Sequence, residues 1–214
     1  MEKYISIITN FGCHYKCPYC IVKNNNLQIP KTTIKGLDRL EKEIISNECN
    51  WVSLSGGGDP LWNIDEHKDW YRKFFEITDK NKVCTELHTS MINVETEFNE
   101  KFDRIVYHLH DFEQLKSIKK HSDSQIVRVV YVVTDKFTRE LTDKIAEYCD
   151  KSNIIDELSF RQMVDGNYNE TYYCADYLKE GHKKLWWYIE QKDYNLYYCE
   201  NKLYTQYSKI GKGE

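Results

Sequence analysis

No run in this 214-residue chain approaches the ~20 apolar residues that a membrane-spanning helix needs. Met1-Glu2-Lys3-Tyr4 opens without the long apolar stretch of a secretory signal, so a soluble, cytoplasmic protein is expected. An excess of basic charge is missing too: 30 Lys and Arg stand against 34 Asp and Glu, a net charge of −4. That argues against nucleic acid as a partner and against attachment to an anionic membrane. Internal repeats, low-complexity tracts and convincing linkers are absent, so the length reads as one domain with at most a small extension. A chain of this size buries roughly 70% of its unfolded surface and needs no disulfide staple.

Five of the eight cysteines, Cys49, Cys84, Cys149, Cys174 and Cys199, are scattered at no motif spacing and read as small buried groups. The other three are clustered in Cys13-His14-Tyr15-Lys16-Cys17-Pro18-Tyr19-Cys20, directly after the strand-like run Tyr4–Thr9. In a reducing compartment such a cluster is read as metal-binding rather than disulfide-forming. Two readings are open on spacing alone. Three thiolates can hold three irons of a cubic four-iron cluster and leave the fourth iron open. Alternatively, a zinc ion completed by His14 or another residue would close the site, although the second CxxC-type pair common in structural zinc sites is missing.

Strands and helices alternate along the chain. Strand patterns fall at Tyr4–Thr9, Trp51–Ser55, Val83–Thr89, Arg104–His110, Gln125–Val133 and Ile155–Met163. Helical patterns follow Thr32 or Thr33 (Ile34, Leu37, Leu40, Ile44, Ile45), Asp65 (Trp70, Phe74, Ile77) and Asp111 (Phe112, Leu115, Ile118), and cover Thr138–Asp150. Six such units give an α/β fold with a parallel sheet, an incomplete (βα)6 barrel over residues 1–163. Residues 164–214 are expected to be an extension packed on the barrel, not a separate domain. It should hold a helix over Tyr177–Gln191 and a hairpin about Glu200-Asn201-Lys202. The aromatic groups Trp186-Trp187-Tyr188 and Tyr197-Tyr198 are expected against the sheet edge.

In a parallel βα fold the ligands sit at the carboxyl ends of the strands. The cysteine loop, the glycines Gly56-Gly57-Gly58, the pair Thr89-Ser90, His108, His110 and Arg161 should therefore converge on one mouth. Glycines let backbone approach a ligand closely. Arg161 is costly to bury without an anion. His88 is read as a hydrogen-bonded rim group, and Arg128 as either inward-facing or paired on the helix side.

These residues resemble a known family. CxxxCxxC after a first strand, with Tyr19 before the last cysteine, is similar to the radical S-adenosylmethionine (SAM) enzymes. Gly57-Gly58-Asp59-Pro60 resembles the family's Gly-Gly-Glu-Pro motif, and Glu86-Leu87-His88-Thr89-Ser90 its third-strand ending. Arg128-Val129-Val130-Tyr131-Val132-Val133 resembles its fifth strand. The resemblance covers residues 4–163 and says little of the rest. It implies that Cys13, Cys17 and Cys20 ligate a [4Fe-4S] cluster and that SAM chelates the open iron. SAM would then be cleaved reductively to a 5′-deoxyadenosyl radical that abstracts hydrogen. Tyr19, Gly56, Gly57, Gly58, Asp59, Thr89, Ser90 and Arg161 would hold SAM, with Asp59 one methylene shorter than the family's Glu. A one-electron donor such as flavodoxin or ferredoxin and a small-molecule or peptide substrate are implied as partners. Other readings are an activase of a glycyl-radical enzyme and a non-catalytic iron–sulfur or zinc module.

Overall fold

The computed structural model describes residues 2–164, 169–180, 186–189 and 196–211, without the side chains of Trp186 and Trp187. Nine strands form one sheet: β1 Tyr4–Ile7, β2 Trp51–Leu54, β3 Cys84–Thr89, β4 Arg104–Leu109, β5 Ile126–Val133, β6 Glu157–Gln162, β7 Trp186–Ile189, β8 Leu196–Cys199 and β9 Lys202–Tyr204. Their spatial order is β7-β6-β5-β4-β3-β2-β1-β8-β9. Every pairing is parallel except β8 with β9. The sheet does not close on itself, so the expected incomplete barrel is present. It is wider than the six strands read from the sequence, because both of its edges are extended by the C-terminal segment.

The helices are α1 Ile21–Asn24, α2 Leu40–Ser46, α3 Lys68–Asn81, α4 Phe112–Leu115, α5 Arg139–Lys151 and α6 Ala175–Lys179; α2 to α5 pack on the outer face, and residues of α1 and α6 line the pocket. In α3 the residues Trp70, Tyr71, Phe74, Phe75 and Thr78 recur at helical spacing and are buried. They join Ile5, Ile7, Val52, Leu54 and Leu87 of the strands in one core. Thr138 caps α5 by accepting from the Leu141 amide at 3.2 Å, and Asp111 caps α4 by accepting from Gln114 at 2.8 Å.

Three expectations need correction. The helix expected after Thr33 is split into a 3₁₀ turn, Ile34–Leu37, and α2. The break shifts the phase, so Ile34 and Ile45 fall on the surface while Leu37, Leu40 and Ile44 stay buried. Asp65 sits in a 3₁₀ turn, Ile64–His67, ahead of α3 and does not cap it. Within Tyr177–Gln191 the helix ends at Lys179 and Trp186–Ile189 is a strand, while the rest of that stretch lies outside the described residues. An aromatic and β-branched run favours strand, and the free edge of β6 supplies the partner.

The hairpin expected about Glu200-Asn201-Lys202 joins β8 to β9. Its turn docks on the 3₁₀ turn after Thr33: the Glu200 carboxylate accepts from the Thr33 amide at 2.9 Å, and the Asn201 side chain donates to the Lys35 carbonyl at 2.7 Å. A second, smaller core of Ile8, Leu27, Ile29, Tyr197, Cys199 and Ile210 lies under the segment that follows the cysteine loop. No helix among the described residues is long and apolar enough to cross a membrane.

Candidate active site

Side chains alternate across a strand, and here the inner face carries many polar and charged groups beside Val130 and Val132. Ser6, Ser53, Glu86, His88, His108, Arg128 and Arg161 line a pocket of about 1150 Å³. Small-molecule sites typically measure roughly 300–1,000 Å³, so this one lies just above the upper end of that range. Parallel barrels usually fill the interior with bulky apolar residues; the polar, unfilled interior here marks a chamber.

Two loops meet at the carboxyl mouth. The amide of Asp59 donates to the Gly12 carbonyl at 2.9 Å. A Cβ at Gly58 would collide with that same carbonyl oxygen, and one at Gly57, whose φ is +73°, would collide with the carbonyl of Thr9. Glycine is thus required here to seat the second loop against the root of the cysteine loop. The sequence had suggested close approach to a ligand. The two roles share one segment, since Gly56, Gly57 and Gly58 also line the pocket. From outside, the buried Tyr71 hydroxyl donates to the Pro60 carbonyl at 2.8 Å.

Asp59 is buried, and its carboxylate is fully engaged. One oxygen accepts from the Thr89 hydroxyl at 2.7 Å and the Leu61 amide at 3.1 Å. The other accepts from the Ser90 amide and hydroxyl, both at 2.8 Å. Thr89 and Ser90 therefore donate to Asp59; the Met91 amide donates to Thr89 at 3.0 Å and His14 lies against Ser90, so one lone pair of each hydroxyl is left for a ligand. His14 Nε2 lies 2.9 Å from Ser90 Oγ and 3.7 Å from Asp59, so it is turned to this nest.

Cys13, Cys17 and Cys20 line the same pocket, Cys13 exposed and the other two half-buried. Burial, then the neighbouring Cys13 and Cys20, push the Cys17 thiol up to about 11. Three thiolates on one loop repel one another, and a bound cation removes that penalty. Among the described residues no three His, Cys, Asp or Glu side chains are arranged to hold a metal ion. The donor set nevertheless suits an iron–sulfur cluster: three soft ligands on one open loop without a fourth.

Tyr19 reaches across the mouth. Its hydroxyl lies 2.9 Å from His110 Nδ1, and the ring of Tyr15 stacks on His110 at 4.0 Å. Burial lowers the His110 pKa, so the ring is neutral, with one nitrogen a donor and the other an acceptor. The His110 Nε2 is buried and has no partner among the described residues. A buried unsatisfied polar atom is costly, and a polar ligand group would satisfy it. Arg161 lines the pocket near enough for its charge to act on His108. Tyr188 and Tyr197 line the pocket too, whereas Tyr198 is buried in the core.

The pairings in the deeper part of the chamber were not read from the sequence. Glu86 accepts from Arg104 at 2.9 Å and from His88 Nε2 at 2.7 Å, and His88 Nδ1 lies 2.9 Å from His108 Nε2. Arg128 faces inward and is paired with Glu157 at 2.7 Å. The available signal was polar alternation: Glu86 and His88 on β3, Arg104 and His108 on β4, Glu157 and Arg161 on β6, each two or four apart.

No family model matches the sequence, and no curated protein matches it. Solved structures do. SuiB of Streptococcus suis bound to S-adenosylmethionine superposes with a TM-score of 0.69 over 100% of this chain and 62% of SuiB, at 14% identity. Its complex with the precursor peptide SuiA gives 0.66, covering 61% of that chain. anSMEcpe with AdoMet and the Cp18Cys peptide gives 0.59 at 16% identity, over 84% of this chain and 57% of that one. These neighbours are radical SAM enzymes. The chain has the radical SAM fold. It spans about three-fifths of the length of the neighbours it matches. In that fold the cysteine loop and the glycine loop occupy the mouth, with the polar chamber beneath them.

Proposed function

We propose that this chain is a radical SAM enzyme, with residues 1–163 as its core and 164–214 as an extension of that core. One observation carries the reading: a three-thiol loop and a Gly-Gly-Asp-Pro loop are locked together, Asp59 amide to Gly12 carbonyl, above a large polar chamber. Cys13, Cys17 and Cys20 would hold a [4Fe-4S] cluster, whose open iron leaves a position for SAM. When bound, the pair supplies a one-electron reductive cleavage that generates a hydrogen-abstracting radical. The protein's part is to bind, orient and shield.

In this reading the carbonyls of Gly56, Gly57 and Gly58 accept from the methionine ammonium, and Asp59 holds the nest rather than reaching the ligand directly. The lone pairs of Thr89 and Ser90 and the unfilled Nε2 of His110 are the polar contacts nearest the mouth. Tyr19 covers the cluster side, and Arg161 offers a cation to a carboxylate.

The substrate is proposed to be a peptide or small molecule; the SuiB and anSMEcpe structures hold peptides. A flavodoxin or ferredoxin would donate the electron. Anaerobically reconstituted protein is expected to contain about four irons and four sulfides per chain. With SAM and a strong reductant it should release 5′-deoxyadenosine. Zinc in place of iron, or a cluster that never cleaves SAM, would refute the reading in favour of a non-catalytic metal module.

A further inference from the structure

Below the mouth, three side chains form a continuous hydrogen-bonded chain. A carboxylate only accepts, so the 2.7 Å contact between Glu86 and His88 Nε2 puts a proton on that nitrogen. In neutral His88, Nδ1 is then an acceptor. The 2.9 Å contact to His108 Nε2 therefore puts the His108 proton on Nε2. The remaining nitrogen, His108 Nδ1, is left with a lone pair and no protein partner among the described residues. All three side chains line the pocket.

We propose that Glu86, His88 and His108 are a proton relay, and that His108 Nδ1 takes a proton from an N–H or O–H group of the substrate. The proposal rests on the reading of the pocket as a substrate chamber. The substrate's N–H or O–H bond breaks with its electron pair left on the substrate, and a new N–H bond forms at His108 Nδ1. The Nε2 proton of His108 passes to His88 Nδ1. His88 ends as an imidazolium whose Nε2 proton still lies against the Glu86 carboxylate. No oxidant or reductant enters this step.

The surrounding charges favour that end point. Burial first, with the cation of Arg161 acting in the same direction, keeps His108 neutral. The positive charge is displaced from the pocket wall to the neighbour of Glu86. That carboxylate also meets Arg104 of β4 at 2.9 Å and Arg128 of β5 at 4.0 Å, and Glu157 of β6 shares both cations. His108 is the proton acceptor in this scheme. His88 and Glu86 are positioning residues, since they act through it. The substrate class implied is one that presents an amine, amide or hydroxyl hydrogen to the chamber, rather than a purely hydrocarbon surface.

The test is nitrogen-15 NMR of the full chain labelled at histidine. At neutral pH, both His88 and His108 should carry their proton on Nε2, with His108 Nδ1 unprotonated. In Glu86→Gln the tautomer bias at both rings should be lost, because an amide donates as well as accepts. A His108 protonated on Nδ1 in the neutral chain overturns the proposal, as does a bias unchanged in Glu86→Gln. Should that variant fail to fold, the wild-type spectra decide alone. Neither cluster nor SAM is needed, so this failure is separate from a failure of reconstituted protein to release 5′-deoxyadenosine, which would overturn the reading beneath it.

Discussion

Ser53 and Leu54 are neighbours on β2 and face opposite ways. Leu54 is packed among Val52, Leu87 and the aromatic face of α3. Ser53 donates to Ser6 at 2.9 Å on the wall of the chamber. The same contrast runs across the sheet: Leu87 against His88, Val129 against Arg128, Phe160 against Arg161. One face is apolar and sealed by helices, while the other is polar and open. Stability and chemistry are thereby carried by alternate residues of the same strands, and a substitution on one face should spare the other.

The largest effect expected is on the chemistry alone. Cys17→Ala should abolish both iron incorporation and release of 5′-deoxyadenosine. Cys17 is half-buried on the mouth loop and contributes nothing to the outer core. The unfolding free energy of the metal-free chain should therefore stay within about 1 kcal/mol of wild type. Full iron content and normal cleavage in the variant would remove Cys17 from the ligand set. A collapse of the metal-free fold would instead break the separation of faces.

Leu54→Ala is the converse. Leu54 is fully buried, and removing its side chain should cost about 2–5 kcal/mol, read as a shift of the urea midpoint at unchanged slope. Protein that still folds should bind iron normally. A cost below about 1 kcal/mol would mean that the outer face is not the source of stability.

Glu86 tests whether the inner face adds stability by charge rather than by packing. Burial alone would raise its carboxyl pKa, but His88 and Arg104 outweigh burial and hold it at about 2. The ordinary value is 4.5. A depressed pKa means that the ionised group stabilises the fold fully above about pH 4.5 and loses that contribution as pH falls through about 2. Glu86→Gln should cost on the order of 2 kcal/mol at neutral pH. Its disadvantage against wild type should shrink steadily from pH 4.5 towards 2 in parallel urea titrations. A difference that stays constant across that window would show that the Glu86 charge is not what matters.

How much of this could be read from the sequence depends on range. The three cysteines and the Gly-Gly-Asp-Pro run were legible because each is a contiguous loop after a strand. The six strand patterns were legible because their outward residues are apolar. Ile34 and Ile45 misled, since a helical period does not reveal where a 3₁₀ turn breaks the phase. Trp186–Ile189 misled because a strand at a sheet edge needs a partner, and that partner, β6, is some 25 residues earlier in the chain. The Glu86–Arg104 and His88–His108 contacts were hidden for a related reason: they depend on the β3–β4 register, Glu86 opposite Arg104, which no local pattern fixes. The function of Asp59 was read by position. Its four hydrogen bonds show that a motif's acid can be occupied in holding its own loop.

The smallest effect expected is the sharpest test of the two faces. Ser53→Ala removes one hydrogen bond of a buried hydroxyl, beside a chamber that water can enter. Ser6 would lose its donor at 2.9 Å but would remain on the pocket wall, where a water can replace it. The net cost of such a loss is about 1 kcal/mol, well under the range for Leu54→Ala one residue away. Both residues are almost completely buried, Ser53 at 1% exposure and Leu54 at 0%, so burial alone predicts no such gap. Urea denaturation of the two variants in parallel measures it directly. If Ser53→Ala costs as much as Leu54→Ala, the inner face is a packed core in its own right, and the chamber beneath the cysteine loop has to be read as structure rather than as space for a substrate.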